Sequence, residues 1–154
     1  MSESFTVEDA LKVENIRFVS GVTDWKDAVR LATEPLIECG CCEARYADGI
    51  IENTEKFGPY YILCPGLALL HGRPEQGALK TQISVTVARD GVDFGGGQEP
   101  ITLMVTLAAV DSDTHLEVMR AMAMLFSQPG AVEELCAMDS AEAIYQRFLR
   151  SATA

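Results

Sequence analysis

Two histidines are all that the 154-residue chain contains, and both stand where the chain turns out of a strand. His71 follows the apolar run at residues 67–70 and precedes Gly72-Arg73-Pro74, so its ring belongs at a strand end beside flexible backbone and a guanidinium. His115 falls in the first turn of a helix announced by Asp111-Ser112-Asp113-Thr114, a dense set of cap formers. A helix N-terminus offers unpaired N–H groups and partial positive charge, which attract a phosphate or a developing oxyanion and disfavour imidazolium. If the two strand ends meet, His71 as a neutral nucleophile, His115 as neighbour and donor, and Arg73 as charge partner make a phosphate-sized pocket. Spacing alone leaves the plainer reading open, in which one ring is a surface residue and the other only borders a cap.

The remaining reactive side chains point to less. Cys39, Cys41 and Cys42 crowd together, yet no fourth Cys or His lies near them, so the set reads as small buried hydrophobes at a helix end and no metal is expected. With Cys64 and Cys136 the count is an odd five, which argues for reduced thiols. Gly95-Gly96-Gly97 lacks the Lys-Ser/Thr ending of a phosphate loop. Twenty-three acids against twelve bases give a formal charge of −11, a field that repels nucleic acid and anionic membrane surfaces and speeds encounter with a basic protein face. No run approaches the roughly eighteen apolar residues of a membrane span. The opening Met1-Ser2-Glu3-Ser4 lacks the basic n-region of a signal peptide, so a cytoplasmic protein without membrane insertion is expected.

The elements that must carry the histidines follow from hydrophobic period. At 48% hydrophobic and 23% charged residues the chain can bury a core, and residues 1–154 are expected to form one domain. A short capped helix is expected from Thr6 to Leu11, then a strand at 16–19. Asp24 caps a helix whose apolar face is Trp25, Ala28, Val29, Ala32 and Leu36, and which Pro35 should kink or split. A second helix spans 43–57, weakened by Gly49 and closed by Gly58-Pro59. Apolar runs at 60–64 and 67–70, divided by Pro65-Gly66, read as buried strands. Residues 82–88 and 101–109 alternate as strands, with a hairpin expected at Asp90-Gly91 leading into residues 92–94. The helix after Asp111 carries Leu116, Met119, Met122, Ala123 and Phe126 at helical spacing and ends at Pro129, and its Met119, Met122, Met124 and Phe126 are better read as core packing than as a partner groove. Two more helices are expected around 131–137 and 139–150. This order favours a three-layer α/β/α sandwich over a barrel or bundle.

The stretch from Lys56 to Pro74, KFGPYYILCPGLALLHGRP, resembles the phosphorylation-site segment of bacterial phosphotransferase-system (PTS) enzyme IIA domains of the mannitol/fructose class, most like the ascorbate-type branch. The similarity continues through Glu75-Gln76-Gly77, Thr81-Gln82-Ile83-Ser84 and Val92-Asp93-Phe94-Gly95. It returns at 107–116, and so covers about Tyr46 to Phe126.

That resemblance implies a type-2 EIIA domain with a mixed central sheet flanked by helices. It implies a phosphotransferase component that takes a phosphoryl group from HPr onto a histidine and hands it to a cysteine of enzyme IIB, while the integral enzyme IIC moves the sugar. By position the acceptor is His71, with His115 assisting and Arg73 stabilising the phosphate. Asn53 stands where mannitol-type members carry an arginine, and supplies at most an amide hydrogen bond.

Two departures stand out: Leu70 replaces the usual proline before the acceptor and restores a backbone N–H, and Cys64 replaces a small residue. Phosphoryl transfer needs an in-line nucleophile and electrostatic compensation more than an acid or base, so neither metal nor organic cofactor is expected. The leading expectation is a carrier serving uptake of an ascorbate-like sugar. The alternative is a regulatory EIIA-like phosphoprotein that binds a partner protein, which the Leu70 substitution mildly favours.

Overall fold

The computed structural model describes residues 10–153 apart from 21, 23, 59 and 95–98. In chain order the elements are β1 (Leu11–Val19), α1 (Trp25–Glu38), α2 (Arg45–Phe57), β2 (Ile62–Cys64), β3 (Leu67–His71), a single 3-10 turn (Pro74–Gln76), β4 (Gln82–Val92) and β5 (Ile101–Ala108). Three helices complete the order: α3 (Ser112–Phe126), α4 (Ala131–Cys136) and α5 (Ala141–Thr153). The five strands form one sheet in the order β1-β4-β5-β3-β2. β1 runs parallel to β4 and β3 parallel to β5, while β4 pairs antiparallel with β5 and β2 with β3, so the sheet is mixed.

Strand alternation divides the apolar side chains between two cores. Leu67, Leu69, Val85, Leu103, Val105 and Leu107 face Val118, Met122, Leu125, Leu135, Ile144 and Phe148 of the three C-terminal helices. Ala68, Leu70, Met104 and Ala108 face Ala28, Val29, Ala32 and Leu36 of α1 and Tyr46 and Ile50 of α2. Each fully buried aliphatic side chain contributes about 1.5–3 kcal/mol, so sliding β3 by one residue would exchange two well-matched faces and is strongly opposed. This is the three-layer α/β/α sandwich with its mixed sheet. Among the described residues no helix is long and apolar enough to cross a membrane.

Three local expectations change. The helix expected from Thr6 to Leu11 lies outside the described residues except at its end, where Ala10 is helical and Leu11 already opens β1, with Leu11 and Ile16 both buried. A register shift between Leu11 and Ile16 against β4 breaks the alternation that would have marked the longer strand. Pro35 does not split α1, because it lies in the last turn, where its missing N–H removes one hydrogen bond near a helix end. The hairpin is not at Asp90-Gly91: both residues lie inside β4, and the chain reverses between Val92 and Ile101, which pair with each other.

Gly91 sits at φ 80, where it absorbs the register shift between Val87 and Val92. A Cβ there would come within 2.7 Å of the Pro100 Cβ. Gly91→Ala is therefore expected to destabilise the fold by about 2 kcal/mol, combining left-handed strain with a clash. Urea unfolding should show a lower midpoint at an unchanged m-value.

Candidate functional site

Parallel pairing of β3 with β5 sets His71 opposite Leu107, so the two strands end side by side. α3 begins only a few residues after β5 and carries His115 in its first turn. Leu69 faces the C-terminal helices, and two residues on His71 points the same way, toward α3. The two imidazoles meet with ring centroids 5.5 Å apart and planes at 62°.

The start of α3 is held firmly. The Asp111 carboxylate accepts from the Thr114 amide at 2.8 Å and its hydroxyl at 2.9 Å, and the amide bond above all holds that carboxyl below the usual carboxylate range. Thr81 bonds the Thr114 hydroxyl at 2.9 Å and accepts from the Val110 amide at 3.1 Å, tying the loop after β5 to the residue before β4.

The ring of His71 is oriented by its own strand. Nδ1 lies 2.8 Å from the Leu69 carbonyl oxygen. A carbonyl only accepts, so Nδ1 carries the proton and donates, and Nε2 is left with its lone pair. Burial is the main cause that pushes the imidazole pKa below its usual 6.5, and the neighbouring His115 acts in the same direction against the Leu69 carbonyl. The ring is thus neutral at neutral pH, with the Nε2 lone pair free. Tyr60 stands edge-on to it at 5.3 Å and 89°, and the Tyr60 hydroxyl donates to the His71 carbonyl oxygen at 2.6 Å.

Two further side chains build the backbone around the ring. Tyr46, buried on α2, accepts from the Gly72 amide at 2.9 Å and donates to the Leu107 carbonyl at 2.8 Å, cross-linking the ends of β3 and β5. Burial pushes its phenol up to about 12, so it keeps its proton. Gln76 accepts through Oε1 from the Arg73 amide at 2.7 Å and from Asn53 Nδ2 at 2.9 Å, and its Nε2 donates to Asn53 Oδ1 at 3.2 Å. A Cβ on Gly72 would lie 2.9 Å from Gln76 Oε1, and one on Gly49 would lie 3.0 Å from its Nε2. Gly49, which looks like a weak point of a helix in the sequence, is the clearance Gln76 needs.

His71, Arg73 and His115 line one depression of about 440 Å³, together with Gly72, Asp111 and Leu116 among others. Asn53 lies outside it and lines an adjoining hollow of about 310 Å³ with Phe57, Tyr60, His71, Gly72 and Arg73. Arg73 is exposed and its Nε is 3.0 Å from Glu75. Asn53 is buried, with both amide atoms engaged by Gln76. Phe57 at 70% and Leu116 at 57% exposure give the two hollows an apolar rim. Sequence reasoning did not find Tyr46, Tyr60 or Gln76 as site-building residues. Gly49 and Gly72 were the available signal, since both make room for one glutamine. Among the described residues no three His, Cys, Asp or Glu side chains group to hold a metal.

A family model described as "Phosphoenolpyruvate-dependent sugar phosphotransferase system, EIIA 2" matches residues 9–151. The chain is 35% identical to the mannitol-specific cryptic phosphotransferase enzyme IIA component of Escherichia coli (strain K12), over 87% of this chain and 91% of that protein. It is 37% identical to the ascorbate-specific PTS system EIIA component of Shigella dysenteriae serotype 1, over 73% of this chain and 74% of that protein. The solution structure of the E. coli mannitol-specific cryptic phosphotransferase enzyme IIA CmtB superposes with a TM-score of 0.84 at 33% identity, covering 95% of this chain and 99% of that one. Enzyme IIAMTL of E. coli, solved in complex with phosphorylated enzyme IIBMTL, superposes with a TM-score of 0.78 at 25% identity, covering 91% and 97%.

Nitrogen-detected NMR of the histidine rings should find Nδ1 of His71 protonated, Nε2 unprotonated, and a titration midpoint below 6.5. A midpoint above that value, or the opposite tautomer, overturns the orientation described. Between the folded and the usual value the unfolded chain binds more protons at this ring, so its contribution to stability is complete above pH 6.5 and declines as pH falls through that window.

Proposed function

We propose, from the premise that this chain belongs to the EIIA 2 family of the phosphoenolpyruvate-dependent sugar phosphotransferase system, that its 154 residues act as one cytoplasmic type-2 EIIA domain with His71 as the phosphoacceptor. As a family member it is a phosphotransferase component, and its chemistry is a relay. HPr is the donor, an enzyme IIB cysteine is the next acceptor, and a membrane enzyme IIC moves the sugar. The observation that carries this reading is the 2.8 Å bond from His71 Nδ1 to Leu69, which leaves the Nε2 lone pair beside His115 in an open depression.

The geometry suits each step. Nε2 attacks phosphorus in line as the bond to the donor breaks, and charge spreads over three equatorial oxygens. His115, on the first turn of α3, supplies a ring N–H to those oxygens, and Arg73 adds positive charge at the mouth. Phosphorylation at Nε2 makes the His71 ring cationic, so the Nδ1–H bond to Leu69 becomes charge-assisted and roughly twice as strong. A thiolate of enzyme IIB then attacks the same phosphorus, and His71 leaves as the neutral ring it was. Asn53 acts through Gln76, holding the Arg73 backbone.

The half-buried ring and the apolar rim of Phe57, Tyr60 and Leu116 fit brief visits by two proteins in turn. The E. coli IIAMTL–IIBMTL complex supports enzyme IIB as one of them. For the sugar, an ascorbate-like substrate rests on the phosphorylation-site segment, since the ascorbate and mannitol relatives stand at similar identity, 37% and 35%.

Incubation with phosphoenolpyruvate, enzyme I and HPr is expected to load one acid-labile, alkali-stable phosphate, which His71→Ala abolishes. Labelling that survives in that variant moves the acceptor elsewhere. His115→Ala should slow loading by about 10- to 100-fold without changing the circular dichroism, whereas an unchanged rate reduces it to a cap neighbour. Discharge onto ascorbate-type and mannitol-type enzyme IIB, compared side by side, tests the sugar.

A further inference from the structure

The C-terminus of α1 brings two thiols together away from the histidines. Gly40 takes φ 79, and the amides of Gly40 and Cys41 turn back to the Ile37 and Leu36 carbonyls at 3.1 and 2.8 Å. This helix-ending turn sets Cys39 and Cys41 on one side, with Sγ atoms 2.7 Å apart. Cys39 is exposed, whereas Cys41 and Cys42 are buried in the core beneath α1 and α2. The Cys39 thiol lies 3.4 Å from the Leu36 carbonyl and donates to it, which leaves the Cys41 thiol to donate to Cys39 Sγ. Burial pushes the Cys41 thiol up to about 12, so it keeps its proton until it is drawn into reaction.

What surrounds the pair is the strap that follows the 3-10 turn. The Cys41 carbonyl accepts from the Leu79 and Lys80 amides at 2.9 and 3.0 Å, Cys42 bridges Ala78, and the Glu43 amide donates to the Gly77 carbonyl at 2.8 Å. Gln76 is the residue just before that strap.

We propose that Cys39 and Cys41 form a reversible intramolecular disulfide by exchange with low-molecular-weight disulfides, and that closing it shifts the strap at residues 77–80. Cys39 gives up its proton to solvent and attacks one sulfur of the small disulfide, giving a mixed disulfide and releasing one small thiolate, which takes up a proton. Cys41 gives up its proton to solvent and attacks Cys39 Sγ, and the second small thiol leaves. Two protein thiols are oxidised and one small disulfide is reduced to two thiols. The sulfurs need to close only from 2.7 Å to about 2 Å. The exposed member meets the oxidant, and the buried member resolves it before a second oxidant molecule reaches the site.

The test equilibrates the full chain with glutathione disulfide and reduced glutathione, quenches with acid, and reads free thiols and intact mass. The expected result is a loss of two thiols and two hydrogen masses, reversed by excess reduced glutathione. The same closure should occur in a Cys42→Ser/Cys64→Ser/Cys136→Ser variant. Cys39→Ser should not close, and Cys41→Ala should stop at one glutathione adduct on Cys39. Closure that persists in Cys39→Ser, or fails in the triple variant, overturns the assignment. Amide exchange at Leu79 and Lys80 should change on closure, and unchanged exchange there overturns the shift of the strap.

Discussion

The hydrogen bond between the His71 ring and the Leu69 carbonyl is made within a single strand, two residues apart, and it decides which ring nitrogen faces the depression. A net hydrogen bond of about 1 kcal/mol biases a tautomer several-fold, and the bias holds only while β3 stays extended at its very end. The rest of the site serves that condition. Tyr46 fastens the residue after His71 to the end of β5, Tyr60 engages the His71 carbonyl, and the parallel ladder with β5 fixes the register on the other side. Remove the extended strand end, and a free imidazole would offer both nitrogens to solvent.

Leu70, where the resemblance implies a proline, is restrained by packing and pairing instead. A proline before His71 would fix φ there and remove a backbone donor. Here Leu70 is fully buried under α1 and α2 and pairs in register with Thr106 on β5. Packing and ladder supply the restraint that the pyrrolidine ring would supply, and the ring of the following residue keeps its direction.

Much of this was legible in residue order, for physical reasons that differ by element. The apolar stripes of α1, α2 and α3 and the alternation of β4 and β5 survive in sequence because each packs one face on a core. The addresses of His71 and His115, at a strand end and in a first helical turn, were equally plain. Their meeting was not, because it depends on β3 lying beside β5, which are separated by β4 in the chain and joined by no local signal. The turn at Asp90-Gly91 misled because a positive-φ glycine serves a bulge as readily as a hairpin. Gln76 was invisible for a related reason: its partners on α2, in the 3-10 turn and after β3 converge only in three dimensions.

The supports behind His71 are an amide pair and a phenol that does not ionise near neutrality. Under the proposed function, a phosphoryl group on His71 brings up to two negative charges to the mouth of the depression when it arrives and takes them away when it leaves. Neither a carboxamide nor such a phenol answers that swing by gaining or losing a proton. On that reading the cargo's charge is felt at the rings and at the guanidinium while the framework keeps its protonation, and the contour offered to a visiting protein stays the same whether the carrier is full or empty.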